Sequence, residues 1–215
     1  VPRYDPCQKT KQDILETAMR LFSEKGLENV SVEDVVKELG VTRGAFYHYF
    51  KSREELIAGV MYKSFHDNNP FHTVSQRKDL NALEKLHFII KLDFLPRLEQ
   101  SDSMRAQMKK MSNNPVVFKN EILSQVNIMS IYIERLLIEG NEDGSMYVAY
   151  PKQAAQTIAL LVSSWLSPYV FEVSYEEYVD KVSFFQQLGE LLGVPFMDDE
   201  IKELFLTLGK QELLK

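Results

Sequence analysis

The stretch from Gly40 to Arg53 contains Arg43, Lys51 and Arg53, with His48 between them, and neither Asp nor Glu. Cationic side chains without a competing carboxylate attract phosphate oxygens. Arg43 has a second capability, because its planar fork of N–H donors matches the O6 and N7 acceptors of guanine. Next to it, Gly44 and Ala45 are small enough to let a helix N-terminus approach a groove wall. Tyr47 and His48 add polar tips suited to phosphate and sugar. Ser31 and Thr42 stand where two short helices would begin, and a hydroxyl there can serve a backbone N–H or a phosphate oxygen. This set suits contact with nucleic acid rather than bond-breaking chemistry. The chain has no nucleophile motif and no Gly-rich phosphate loop. His66, His72 and His87 lack the i, i+4 spacing of a helical metal pair. Cys7, the single cysteine, rules out an intrachain disulfide and a multi-cysteine zinc site. The expectation is therefore no catalytic residue, no metal and no cofactor.

Placing those side chains requires short helices at sharp angles. Ile14, Leu15, Ala18, Leu21 and Phe22 share one helical face, and Gly26 ends that helix. Ser31 caps a second helix carrying Val32, Val35, Val36 and Leu39. Asp34 is shorter than the Glu or Gln of a full capping box, although its charge suits a helix start. Gly40 breaks the second helix, and Val41 plugs the corner. Thr42 caps a third helix that runs to Tyr49 or Phe50, with Phe46, Tyr49 and Phe50 on its core side. Two helices joined by a Gly-containing turn make a helix-turn-helix. Ser52 with Glu55 reads as a capping box opening a fourth helix toward Phe65.

The remainder also reads as helices. A break at Asn68–Pro70 precedes a helix over 79–98, with Leu83, Leu86, Ile90 and Phe94 on one side and Pro96 bending or ending it. Further helices follow over 103–111 and over 115–139, then a loop over 140–144. Pro151 opens a helix to about Val173 that Pro168 kinks or locally breaks. Helices over 175–192 and from Asp198 to the end complete the chain. No strand pattern, repeat or low-complexity tract interrupts them, so the fold class is all-α.

With 215 residues and 45% hydrophobic residues, the chain suits one or two domains with a sizeable core. Its net charge of −6 argues against a wholesale nucleic-acid coat. The charge is uneven: nine Lys/Arg face eight Asp/Glu through Arg53, against 16 and 23 beyond it. The basic window is local, and the acid excess lies elsewhere. No apolar run spans a membrane, and the first ten residues lack a signal-peptide pattern. Together with the lone cysteine this reads as a cytoplasmic protein. Pro2 and Pro6 argue for an unstructured arm over 1–8, with Arg3 in it.

The stretch from Ser31 to Leu56, with the helix Ile14–Gly26 before it, resembles the DNA-binding signature of the TetR family: cap, turn glycine, small pair, aromatic cluster and second cap fall at the family's spacing. The resemblance implies a three-helix helix-turn-helix DNA-binding domain over 9–55, followed by a larger helical ligand-binding and dimerisation domain over 56–215. It implies that Arg43, Gly44 and Ala45 read bases in double-stranded operator DNA. Ser31, Thr42, Tyr47 and His48 would hold phosphate and sugar, and Arg53 stands where the family usually has a phosphate-binding lysine. Val36 departs from the small alanine usual there. Glu33 lies near the DNA-facing side, where its charge either opposes nonspecific contact or accepts from a cytosine amine.

For the larger domain the resemblance implies a sensor whose small-molecule effector re-spaces two DNA-reading heads, which makes the protein a ligand-responsive repressor. Phe94, Met104, Met108, Met111, Met129, Tyr132 and Trp165 are adaptable apolar residues suited to a pocket for a small apolar or aromatic molecule. Homodimerisation is assigned to the helices over 151–173 and 175–192. The first carries Ile158, Leu161, Val162, Trp165 and Leu166, and the second Val179, Val182, Phe185, Leu188 and Leu192. Acidic total charge is also compatible with a helical protein-interaction module, which steep salt dependence of DNA binding would exclude.

Overall fold

The computed structural model describes residues 6–67 and 69–214, all of whose elements are helical. They divide into two compact units, Val1–Asn68 and Asn69–Lys215.

The first unit holds α1 (Pro6–Lys25), α2 (Val32–Leu39), α3 (Arg43–Tyr49) and α4 (Arg53–Asp67), with a 3-10 turn over Leu27–Asn29. Ile14, Ala18 and Leu21 of α1 pack on Val35, Phe46, Phe50, Leu56 and Val60 in one core. Because Leu56 and Val60 belong to that core, α4 is part of the first unit. The division thus falls after Asn68, well beyond residue 55. Val36 is half-buried against the same core, so the larger side chain is accommodated. α1 starts at Pro6, earlier than the arm over 1–8 allows: proline lacks an N–H that the first helical turn would leave unpaired anyway. Residues 1–5, Arg3 among them, lie outside the described residues.

The second unit holds α5 (Pro70–Ser75), α6 (Ala82–Leu98), α7 (Asp102–Ser112), α8 (Pro115–Ser124), α9 (Ser130–Asp143), α10 (Pro151–Leu160), α11 (Tyr175–Leu191) and α12 (Asp199–Leu213). Leu86, Ile89, Leu137, Ala155, Val182, Phe185, Ile201 and Phe205 are among its core residues. α5 occupies ground that reads as a break, since Asn69 caps it by accepting from the Phe71 N–H at 2.9 Å and Pro70 takes its first position. α6 passes through Pro96 and ends at Leu98.

Three further expectations are corrected. The segment 140–144 is no loop until its end. α9 continues to Asp143, and Gly140 is buried inside it because a Cβ there would lie 2.4 Å from Met146 Cε. The segments 115–139 and 151–173 are not plain helices either. Each contains a π-helical turn, over Gln125–Met129 and Leu161–Trp165, and the second run ends at Leu166. Ser130 Oγ donates to the Val126 carbonyl and Ser164 Oγ to that of Leu160, both at 2.5 Å, the back-bonding that competes with a regular ladder. Finally, Ile158, Leu166, Val182 and Phe185, assigned to a dimer face, are buried in this unit's own core. The outward apolar residues of α11 are Phe184 and Leu191, 53% and 84% exposed.

Candidate DNA-binding site

The site is built on α2, the turn and α3. Ser31 caps α2 in a complete capping box. Its hydroxyl accepts from the Asp34 N–H at 3.2 Å, and the Asp34 carboxylate accepts from the Ser31 N–H at 2.8 Å and from its hydroxyl at 2.6 Å. The shorter aspartate thus closes the box after all. These bonds, the hydroxyl's first, hold the Asp34 carboxyl below the usual carboxylate range. Gly40 ends α2 in the left-handed region at φ 71°, where a side chain is strained. The chain then turns through Val41, and Thr42 caps α3 by accepting from the Ala45 N–H at 3.1 Å.

α3 presents two faces. Phe46 and Phe50 are buried and Tyr49 is half-buried, all packed on α1 and α2 residues of the first core. Thr42, Arg43, Gly44, Tyr47 and His48 are exposed, and Ala45 is half-buried. Tyr47 sits edge-on to Phe46, with ring centroids 5.3 Å apart, so a core ring steadies it. His48 stands edge-on to Tyr49 at 4.8 Å. One helix therefore anchors itself with aromatics and turns an arginine, a glycine, a tyrosine and a histidine outward.

The remaining charged residues are arranged as sequence alone does not show. Arg43 is paired across the turn with Glu33, Nη2 to Oε1 at 2.5 Å. Arg53, expected at a phosphate, directs its guanidinium inward. Nε donates to the Val30 carbonyl at 2.9 Å, and a terminal nitrogen donates to the Leu27 carbonyl. Ser52 Oγ accepts from the Glu55 N–H at 3.2 Å, but the Glu55 carboxylate accepts from the Lys51 N–H, so the expected box is closed one residue early.

The residues suited to an effector pocket are dispersed among different neighbours in the second unit. Phe94 is buried on Phe205, with centroids 4.5 Å apart, Tyr132 lies on Phe71 at 5.3 Å, and Trp165 is edge-on to Phe184 at 5.8 Å. Met129 packs partly buried on the core, Met108 is half-buried, and Met104 is 48% exposed. The side chain of Met111 lies outside the described residues. Lys181 Nζ stands 5.2 Å from the Trp165 ring and 5.1 Å from that of Phe171. The histidines are separated: His72 is edge-on to Tyr132, and His87 faces the Pro195 carbonyl and the Asp198 carboxylate. The His66 side chain lies outside the described residues. Among the described residues no three His, Cys, Asp or Glu are grouped to hold a metal ion, and no helix is long and apolar enough to cross a membrane.

An all-α chain whose first unit turns a capped, aromatic-anchored second helix outward is a helix-turn-helix protein of the DNA-binding kind. Comparison with known proteins points the same way for the first unit. The model for bacterial regulatory proteins of the tetR family matches residues 14–60. The HTH-type transcriptional regulator AcrR of Shigella flexneri is 43% identical over 53 residues, 25% of each chain, so this chain spans about a quarter of that relative's length. Two solved structures share the fold across most of both chains. RolR in complex with the ligand resorcinol has a TM-score of 0.62 at 18% identity, covering 93% of this chain and 94% of that one. The R. erythropolis transcriptional repressor QsdR, from the TetR family, has a TM-score of 0.61 at 17% identity, covering 88% and 97%. Residues 14–60 thus match the domain of tetR-family bacterial regulatory proteins, and the chain as a whole shares the helical fold of RolR and QsdR.

Proposed function

We propose that this protein is a ligand-responsive repressor that binds double-stranded operator DNA through α3 and releases it when a small apolar or aromatic molecule binds the second unit. The observation that carries the reading is the division of α3 into a buried aromatic face and an outward face of Arg43, Gly44, Tyr47 and His48. Arg43 with Gly44 and Ala45 reads base edges. Ser31, Thr42, Tyr47 and His48 position the helix on phosphate and sugar. Arg53 acts indirectly, by holding the start of α4 on the turn after α1.

The working unit in this reading is a homodimer, because one short recognition helix binds weakly and operators mirror two-fold symmetry. Its interface uses the outward residues of α11, Phe184 and Leu191, with Trp165 of the preceding π-helical turn edge-on to Phe184. Light scattering is expected to give twice the chain mass at micromolar concentration, and a monomer there would refute this part. For the effector, the apolar and aromatic character of Met129, Tyr132 and Trp165 beside two π-helical turns supports a small aromatic molecule, since π turns recur at functional sites. The resorcinol bound by RolR supports the same class.

The test begins by selecting bound sequences from a random duplex pool. The chosen duplex is expected to bind with steep salt dependence. Titration with resorcinol and a panel of substituted phenols is then expected to weaken that binding, by about 1–3 kcal/mol if the coupling is ordinary. Absence of any enriched sequence would overturn the DNA reading, and absence of any releasing ligand across the panel would overturn the aromatic effector.

A further inference from the structure

Glu33 is an acid on a face that should welcome an anion. It sits in the first turn of α2, half-exposed at 53%, with Oε1 2.5 Å from Arg43 Nη2 on α3. Its acidic neighbours are engaged elsewhere, Asp34 in the Ser31 capping box and Glu38 with Arg20. The Arg43 side chain is 66% exposed, so an ion pair there is weak in water and adds little to the fold. Its consequence lies in direction and charge.

An exposed arginine on a helix start is free to sample many rotamers, and its charge attracts phosphate whichever base lies nearby. The Glu33 carboxylate contacts one terminal nitrogen of that guanidinium, Nη2, from across the turn. Arginine carries five N–H donors, so donors remain for the O6 and N7 acceptors of a guanine while that contact is kept. The same carboxylate repels the phosphate backbone, so an Arg43 that swings to phosphate loses its partner and brings an unpaired negative charge toward the DNA. When DNA excludes water from the groove, both effects grow.

Resting on the DNA-binding reading above, we infer that Glu33 is a positioning residue that sets base specificity: it aims Arg43 at a guanine in the major groove and suppresses its use as a phosphate contact. The pair trades nonspecific affinity for discrimination, as specific interfaces do with a built-in repulsive element.

The test uses the full chain and the duplex selected with it, compared with the same duplex changed at the guanine that Arg43 reads and with random duplex. Wild type, Glu33→Gln, Arg43→Ala and the double variant are titrated over a range of salt. Glu33→Gln is expected to bind random duplex several-fold more tightly and to lose roughly tenfold of its preference at that guanine, the order of one bidentate contact. Its salt slope should steepen by about one, as one more phosphate is engaged. In the Arg43→Ala background, Glu33→Gln should leave base preference unchanged at every position. Thermal melting of all variants should match wild type, since the pair is exposed. Retained preference and an unchanged salt slope in Glu33→Gln would overturn the inference. So would a change of preference that persists without Arg43, because Glu33 would then read a base itself. A wild type with no sequence preference would instead overturn the DNA-binding reading, and this inference with it.

Discussion

Replacing Arg53 with alanine separates two roles that sequence position alone runs together. The guanidinium bridges from the first turn of α4 to the carbonyls of Val30 and Leu27, 23 and 26 residues away in sequence. Val30 immediately precedes Ser31, so the clamp joins the start of α4 to the approach to α2. A hydrogen bond to a charged group contributes about 1.5–3 kcal/mol, and two would give roughly 3–6. The residue is half-buried, so water can partly replace the lost donors, and we expect Arg53→Ala to cost about 2–3 kcal/mol. For a unit of this size that corresponds to a fall in melting temperature of roughly 10–20 °C. Arg53→Lys should recover part of the loss, because an ammonium lacks the planar fork that reaches both carbonyls. Urea unfolding followed by circular dichroism measures this directly. A phosphate contact would behave differently: stability would stay within about 0.5 kcal/mol, the surface range, while the salt slope of operator binding fell by about one. That result would refute the clamp.

Three further outcomes follow from the packing. Gly140→Ala places a methyl 2.4 Å from Met146 Cε and 3.0 Å from its Cβ, so α9 or the Met146 segment must shift. Denaturant unfolding should show a loss of about 1–3 kcal/mol, and a neutral variant would mean that Met146 simply swings away. Phe185→Ala empties a fully buried site in the second unit and should cost about 3–5 kcal/mol, whereas Phe184→Ala, one residue away and outward, should change dimer dissociation measured by analytical ultracentrifugation more than unfolding. The Ser31–Asp34 box makes stability pH-dependent. The Asp34 carboxyl is lowered by its bonds from Ser31, so its contribution is complete above the unfolded value near ~3.9 and disappears as pH falls through the lower folded value. Ser31→Ala should flatten that acid limb, and an unchanged limb would show that the box carries no linkage.

Much of the candidate site is legible from residues a few positions apart. Ser31 and Thr42 announce helix starts and Gly40 a left-handed end, interactions that close within four residues, while the four-residue spacing of Phe46 and Phe50 marks an inward face. Misreadings arise where a local signal has two outcomes. Asn69–Pro70 can end an element or cap the next one, and here it caps α5. Gly140 can open a loop or admit a close neighbour, and Met146 makes it the second. In the segments 151–166 and 175–191 the apolar residues surround too much of each helix to show which side faces inward. Burial of Ile158, Leu166, Val182 and Phe185 leaves Phe184 and Leu191 for another surface.

Sequence by itself therefore determined the all-α class, the helix-turn-helix and the residues that α3 turns outward, because periodicity, caps and turn chemistry act over one or two helical turns. Tertiary structure alone decided what Arg43, Arg53 and Glu33 do with their charges. Long charged side chains choose partners by what the fold brings within a few ångströms, and Glu33 lies ten positions from Arg43 while Val30 lies 23 from Arg53. Sequence spacing carries no record of such meetings, since they are set by the angle between α2 and α3 and by the packing of α4 on the turn after α1.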